Sequence, residues 1–244
     1  MPRVRGEMEP VARASALPPA VAVMAKAPGM TVVKSRLHAS LGMERATELY
    51  RCFLLDRLDA VAALGGIAGV VAFTPLEAEP LMRALAPPGL RLVAQRGADL
   101  GERLSNLLSG LLDGGHAGAM AMDSDSPTLP LAYVSEAARL LAGGRHDVVL
   151  GPCEDGGYYL IGLGSPQPRL FEGIPWSTAG VLAATQATAR ALRLRVALLP
   201  SWFDVDTEQD LRRLHADMAA AGGGPPRTYA CVSEIYRAAE TERT

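Results

Sequence analysis

The chain has 244 residues, 49% hydrophobic and 20% charged, a globular composition long enough to bury a substantial core. Its formal net charge of −2 supplies no global basic field, which excludes a nucleic-acid partner held by bulk charge and makes any anion site local. Three cysteines, Cys52, Cys153 and Cys231, stand far apart without zinc-type spacing, and the odd count speaks for a reducing cytoplasm rather than a disulfide framework.

Residues 1–18, rich in Pro, Arg and Glu, read as a flexible tail. Arg3 and Arg5 ahead of an apolar run imitate a signal peptide, but Glu7 and Glu9 interrupt it and Pro18-Pro19 break it. Ala20–Ala25 reads as a buried strand, followed by a cationic loop. Met43–Leu64 then places Ala46, Leu49, Tyr50, Phe53, Leu54, Leu58 and Val61 on one helical face, and Gly65-Gly66 ends it. Strands are expected at Ile67–Phe73 and Leu90–Gln95, around a short helix ending at Leu85. A helix over Asp99–Asp113 turns Leu104, Leu107, Leu108 and Leu111 inward. Ala117–Met122 is a fourth strand running into "DSDSPTLP", and a helix follows near Leu131–Leu141. Two strands, Asp147–Pro152 and Gly157–Leu163, flank "CEDGG". A helix over Ser177–Leu192, a strand over Arg195–Pro200 and a helix capped by Thr207 complete residues 19–221 as one domain. Residues 222–244 read as a linker and a short C-terminal helix.

Alternating strands and helices predict an α/β fold: a single, mainly parallel, Rossmann-like sheet with helices on both faces. Ligands of such sheets bind beyond the carboxyl ends of the strands, where the polar motifs of this sequence fall. No apolar run reaches membrane-spanning length.

Five motifs can carry chemistry there. "MAKAPGMTVVKSRL" holds Lys26, Lys34 and Arg36 around a Pro28-Gly29 turn and contains no acid. It suits a phosphate group; the alternative is a solvated turn with ordinary surface cations. "MDSDSP" brings Asp123 and Asp125 off a strand at a spacing that points both the same way, fit for a shared hard cation such as Mg2+. The alternative is an Asp-rich turn closed by Asx hydrogen bonds. "WFDVDTEQDL" repeats the spacing with Asp204 and Asp206, as helix cap or as second acidic contributor. "GPCEDGGYYLIGL" offers Glu154 and Asp155 as a base or for sugar hydroxyls and Gly156-Gly157 for close backbone approach, against a plain Asp-Gly hairpin turn. "QRGADLGERL" sets Gln95 and Arg96 at the rim and Arg103 on the next helix. The four histidines are scattered, and neither a Walker loop nor a GxSxG elbow occurs.

In that order, "AKAPGMTVVKSRL", "QRGADLGERL", "DSDSPTLP", "GPCEDGGYYLIGL", "GIPWST" and "WFDVDTEQDL" resemble the bacterial arsenosugar-biosynthesis-type glycosyltransferases, of the nucleotide-diphospho-sugar transferase (GT-A) fold. The resemblance spans roughly Ala20 to Met218. The same fold includes nucleotidyltransferases such as 2-phospholactate guanylyltransferase and the molybdenum-cofactor enzymes. The resemblance implies a Mg2+- (or Mn2+-) dependent transferase taking a nucleotide sugar, or an NTP in the nucleotidyltransferase alternative, to a small-molecule acceptor. A non-catalytic nucleotide-binding module is the third reading, and a homo-oligomer is left open. The implied nucleotide and phosphate set is Ala25, Lys26, Ala27, Pro28, Gly29, Lys34, Arg36, Gln95, Arg96, Gly97 and Arg103. Asp125 leads the implied metal set of Asp123, Asp125, Asp204 and Asp206 and counts as catalytic with Glu154 and Asp155. Gly156, Gly157, Tyr158, Trp176 and Ser177 would line the acceptor or sugar site. Two departures stand out: Met30-Thr31 replaces a second Pro-Gly in the first loop, and Asp123 stands where the family has a small residue.

Overall fold

The computed structural model describes residues 17–241, so residues 1–16 of the expected tail lie outside the described residues. Seven strands form one sheet: β1 (Ala20–Lys26), β2 (Ala68–Thr74), β3 (Arg91–Ala94), β4 (Ala119–Met122), β5 (Val148–Pro152), β6 (Tyr158–Leu163) and β7 (Val196–Leu198). Their order is β3-β2-β1-β4-β6-β5-β7. The β1–β2, β1–β4, β2–β3 and β5–β7 pairs are parallel, and β6 runs antiparallel to both β4 and β5. The helices are α1 (His38–Leu41), α2 (Met43–Ala62), α3 (Glu79–Leu85), α4 (Leu100–Asp113), α5 (Leu131–Ala142), α6 (Val181–Ala191), α7 (Glu208–Ala220) and α8 (Pro226–Thr241). This is the expected single α/β domain.

The period-2 geometry of β1 divides its side chains between two cores. Val21, Val23 and Ala25 join Tyr50, Leu54 and Leu58 of α2, Met82 of α3 and Val134 and Leu141 of α5 on one face. Ala20 and Ala22 meet Leu104, Leu107, Leu108 and Leu111 of α4 and Ala189 of α6 on the other. A third cluster joins the far side of α2, through Leu49 and Phe53, to Phe203, Val205, Leu211 and Leu214 around α7 and to Val232 of α8.

The strand and helix positions follow the sequence pattern, with two exceptions: the C-terminal helix expected to be short runs 16 residues and buries Val232 in the third cluster, and α6 begins late. The helix expected from Ser177 starts at Val181. Ser177 takes a positive φ of 64°, Thr178 Oγ1 accepts from Gly180 N at 3.2 Å and donates to Pro175 O at 2.7 Å, and these bonds hold the segment as a turn. The reversal of β6 makes "CEDGG" a hairpin tip, as its Asp-Gly pair allows. With six strands parallel, the carboxyl ends of β1, β2, β3, β4, β5 and β7 share one edge with that tip. Among the described residues no helix is long and apolar enough to cross a membrane.

Two buried or semi-buried carboxylates fasten the periphery. Asp56 of α2 accepts from the backbone N–H groups of Arg227 (3.2 Å) and Thr228 (2.8 Å), capping the start of α8, and pairs with the Arg227 guanidinium at 3.2 Å. Asp56→Ala is expected to cost about 1–2 kcal/mol in urea unfolding and to speed amide exchange along α8 selectively; unchanged α8 protection would contradict the cap. Asp147, at the head of β5, accepts from Arg195 N (2.8 Å), Nε (2.9 Å) and a terminal nitrogen (2.7 Å). The Arg195 side-chain hydrogen bonds hold its carboxyl down at about 2. A depressed carboxylate contributes stability that is complete above its unfolded pKa of about 3.9. That contribution is lost as pH falls from about 4 toward the folded value of about 2. Stability of Asp147→Asn, measured across this window, should therefore fall less steeply with acid than that of the wild type.

Candidate functional site

A cleft of about 660 Å³ opens beyond the carboxyl ends of β1 and β4. The expected site residues Ala25, Lys26, Lys34, Arg36, Gln95, Arg103, Asp123, Asp125, Ser177 and Asp206 line it, joined by Tyr50, Thr74, Leu100 and Ser124. These come from seven stretches of the chain, and Lys34 and Asp206, which meet there, are 172 positions apart in sequence.

The first loop turns where its residue choice demands. Pro28 and Gly29 occupy the middle of a turn closed by Met30 N to Ala27 O at 3.2 Å, and Gly29 has φ 80°, as a type II turn requires. Thr31 adds N–H and Oγ1 bonds to the same Ala27 oxygen, both at 3.2 Å, so the loop closes without a second Pro-Gly. Beyond it Lys34 sits in the left-handed region at φ 48°, a conformation that costs a non-glycine residue about 1 kcal/mol or more.

Lys34 is held there by charge. Its side chain is 2% exposed, and Nζ lies 2.5 Å from Asp125 Oδ1 and 2.9 Å from Asp206 Oδ1. Burial alone would push the ammonium pKa down; Asp125 and Asp206 outweigh it and hold the group above its ordinary range, fully charged. The Phe53 ring lies under the same nitrogen, 5.7 Å from its centroid. Arg36 approaches the other Asp206 oxygen at 3.8 Å. Lys34, expected among the phosphate-binding cations, is thus the shared counter-ion of the two leading acids.

Tyr50 braces the same corner. Lys26 N donates to its Oη at 2.9 Å, and Ser124 Oγ, which donates to Met24 O at 3.0 Å, lies 3.1 Å from it. The Ser124 proton being used, Tyr50 is the donor of that contact. Burial first, and the Asp125 charge second, push the phenol up to about 12, so it keeps that proton. One helical side chain therefore fixes the ends of β1 and β4 against each other. Its hydroxyl was legible only as a polar tip on an otherwise apolar helix face. Arg57, two turns further along α2, is buried and donates to the carbonyls of Ser126 and Leu129, which shapes the loop after β4. Its signal was equally slight: a charged residue at an inward-facing position.

Other expectations are redistributed. Asp123 Oδ1 accepts from the N–H groups of Asp125 and Ser126, both at 3.3 Å, and Oδ2 from Ser126 Oγ at 2.9 Å. It closes the Asx turn that was the alternative to metal binding, and burial, then Asp125, push its carboxyl up to about 7. Gln95 Nε2 donates to Ala72 O (2.7 Å) and Ala25 O (3.3 Å). Ala27, Pro28, Gly29, Arg96 and Gly97 lie outside the cleft lining; Gly97, at φ 140°, accepts from Arg103 Nε at 3.1 Å and abuts the start of α4. Glu154 does not fit the role of base: it is exposed outside the cleft and carries a two-point bond to Arg213 (2.6 and 3.1 Å), which lowers its pKa. Gly156 is a packing position: an added Cβ would sit 2.2 Å from Ala179 O, and the Gly156 carbonyl accepts from Leu182 N at 2.9 Å. Gly157 N is taken by Asp155 Oδ1 at 2.8 Å. Tyr158 and Trp176 pack edge to face, 6.5 Å apart, against the α4 and α6 core rather than facing the cleft. Asp155 and Asp204 lie together at the hairpin tip beside the cleft, outside its lining.

A model of the family described as "Uncharacterized protein conserved in bacteria (DUF2064)" matches residues 57–178, half of the chain. A structure from Desulfovibrio desulfuricans G20, named a "putative nucleotide-diphospho-sugar transferase", is 34% identical, covers 90% of this chain and 97% of its own, and superposes with a TM-score of 0.82. The chain belongs to the DUF2064 family. More distant structures share the fold. The molybdopterin-guanine dinucleotide biosynthesis protein A of Archaeoglobus fulgidus is 16% identical over 82% of this chain and 99% of its own, with a TM-score of 0.55. A CMP:2-keto-3-deoxy-manno-octonic acid synthetase complexed with CTP is 12% identical over 84% and 99%, with a TM-score of 0.51. No curated protein matches the chain.

In this DUF2064 protein, two carboxylates from different loops converge on one nitrogen, and each retains a second oxygen. Their side chains are 37% (Asp125) and 38% (Asp206) exposed. That donor set fits a hard dication that completes its shell with phosphate oxygens and water. Lys34→Met would leave the two acids facing each other without a counter-ion. It is expected to cost about 1–3 kcal/mol, discounted for their exposure, and millimolar Mg2+ should restore more stability to the variant than it adds to the wild type. Equal Mg2+ effects on the two proteins in thermal unfolding would contradict the convergence.

Proposed function

We propose that this DUF2064 protein is a nucleotide-dependent transferase whose donor phosphates lie in the cleft beyond β1 and β4. The observation that carries the reading is the convergence of Asp125 and Asp206 on one cation-sized point, with Lys26, Arg36 and Arg103 lining the same cleft. Asp125 and Asp206 would hold Mg2+ or Mn2+, which when bound neutralises charge on a phosphate leaving group. Lys26, Arg36 and Arg103 bind the remaining phosphate oxygens, Lys34 fixes the spacing of the two acids, and Tyr50 fixes the strand ends beneath them.

The donor in this reading is a nucleotide-diphospho-sugar and the reaction a glycosyl transfer to a small molecule, of the arsenosugar-biosynthesis type. Its support is the ordered set of six motifs and the name borne by the 34%-identical relative. One observation favours nucleotidyl transfer instead. Among the described residues no carboxylate of the cleft is left to act as a base: Asp123 is closed on Ser126, and Asp125 and Asp206 are engaged by Lys34. A hydroxyl acceptor needs a base, whereas a phosphorylated acceptor arrives as an anion.

Thermal unfolding with UDP, GDP, UDP-sugars, GTP and CTP, each with and without Mg2+, tests both. A ligand at about 100 times its Kd adds about 2.7 kcal/mol, a shift of roughly 5–10 °C for a chain of this size. A preference for diphosphate sugars supports glycosyl transfer and a preference for a triphosphate supports nucleotidyl transfer; no Mg2+-dependent shift with any nucleotide overturns the proposal. Asp125→Ala should abolish the Mg2+-dependent part of the shift while the folded spectrum persists.

A further inference from the structure

Beside the cleft, at the tip of the β5–β6 hairpin, three side chains meet that the transferase reading does not use. One ligand atom each from Cys153, Asp155 and Asp204 lies within 4.8 Å of the other two. Asp204 and Asp206 leave their segment at the same spacing, yet the structure sends them apart: Asp206 to Lys34 and Asp125, Asp204 to Cys153 and Asp155. The tip is firmly placed. Cys153 bridges to Trp202, Glu154 N donates to Trp202 O at 3.0 Å, and Cys153 N donates to Gly157 O at 3.0 Å.

The cluster is unbalanced as it stands. The Cys153 side chain belongs to a residue only 7% exposed, and its sulfur has no hydrogen-bond partner among the described residues. Among the described residues no lysine, arginine or histidine nitrogen lies within ion-pair distance of Asp155 or Asp204; Asp155 gives one oxygen to Gly157 N at 2.8 Å and keeps the other. Two carboxylates brought together in a half-buried place repel each other, and the arrangement becomes favourable when a dication sits between them. Sulfur decides which dication: a thiolate is a poor partner for Mg2+ and a good one for Zn2+, which takes mixed sulfur and carboxylate sets with four ligands, water supplying the last. Asp155 is exposed, so a cation can enter from solvent.

We propose that Cys153, Asp155 and Asp204 form a binding site for a zinc-class divalent cation, separate from the Asp125–Asp206 pair. Coordination replaces the thiol proton by the metal, and the proton leaves to solvent. The bound cation ties the hairpin tip to the segment before α7, the segment that also carries Asp206. It therefore stabilises the wall of the cleft without entering it.

Co2+ titration of the chelator-treated full chain tests this, read as the near-ultraviolet sulfur-to-cobalt charge-transfer band and followed by displacement with Zn2+. Cys52 and Cys231, which contact each other between α2 and α8, are the competing sulfur source, so a Cys52→Ser/Cys231→Ser variant is titrated in parallel. The band should appear in the wild type and in that double variant, vanish in Cys153→Ser, and need about tenfold or more Co2+ in Asp204→Asn. Zn2+ should raise the Tm of the wild type and not of Cys153→Ser, while Cys153→Ser keeps its Mg2+-dependent nucleotide shift, which separates this site from the transferase reading. Should Cys153→Ser fail to fold, Asp155→Asn at the exposed tip provides the same weakening. A band that survives in Cys153→Ser, is lost in the double variant, or never forms in the wild type overturns the proposal.

Discussion

The ammonium of Lys34 is the point on which the cleft depends. It joins the loop after β1 to the loop after β4 and to the segment before α7, three stretches far apart in sequence. Three independent features put it there. The turn at Pro28-Gly29 sets the path of the chain, the left-handed backbone of Lys34 aims the side chain inward, and Phe53 of α2 forms the floor. A buried lysine without its two acids would be driven toward neutrality, and either acid without the lysine would face the other. The three groups therefore stand or fall as a unit, which is how a strained backbone conformation persists at a functional corner.

Around that unit the neutral bracing is as specific as the charges. Tyr50 uses its single hydroxyl both as acceptor, from Lys26 N, and as donor, to Ser124. Val205 N donates to Asp125 O at 3.0 Å, and Asp123 N to Tyr159 O at 2.9 Å, so the loop after β4 is fixed from both sides. Asp210 closes the start of α7 by accepting from Thr207 N at 2.7 Å and Asp206 N at 3.2 Å, which orients Asp206 toward Lys34. Each acid of the cleft is thus held in position through a hydrogen bond of its own backbone.

This layering explains what the sequence disclosed. The strands and helices were legible because burial on both faces of a parallel sheet leaves apolar runs, and the α4 leucines repeat at helical spacing. The capping of α7 by Thr207 was legible because caps are local. The convergence of the cleft residues was legible only as a shared edge. What each carboxylate does there was not, since roles depend on partners distant in sequence. Glu154 loses its chemical role to Arg213, 59 residues away, and Asp123 and Asp125 diverge because Ser126 captures only the first. The hairpin glycine Gly156 answers to the carbonyl of Ala179, a contact no local pattern announces.

Gln95 shows how the same reasoning narrows the cleft's chemistry. Both partners of its side chain are main-chain carbonyl oxygens, so the amide nitrogen must face them, and the oxygen is the atom left over. An acceptor at that place repels phosphate and suits a ring or ribose N–H or O–H donor. Lys34 is likewise unavailable to phosphate while it bridges its two acids. The cation set expected from sequence therefore contracts to Lys26, Arg36 and Arg103, of which Arg36 also touches Asp206. With Lys34 counted against Asp125 and Asp206, these three outweigh the one remaining negative charge of the pair together with that of Asp123, and leave the cleft modestly positive. A single dication at Asp125 and Asp206 would raise that further, which makes anion binding in this cleft depend on the metal more than on the basic loop that first draws the eye.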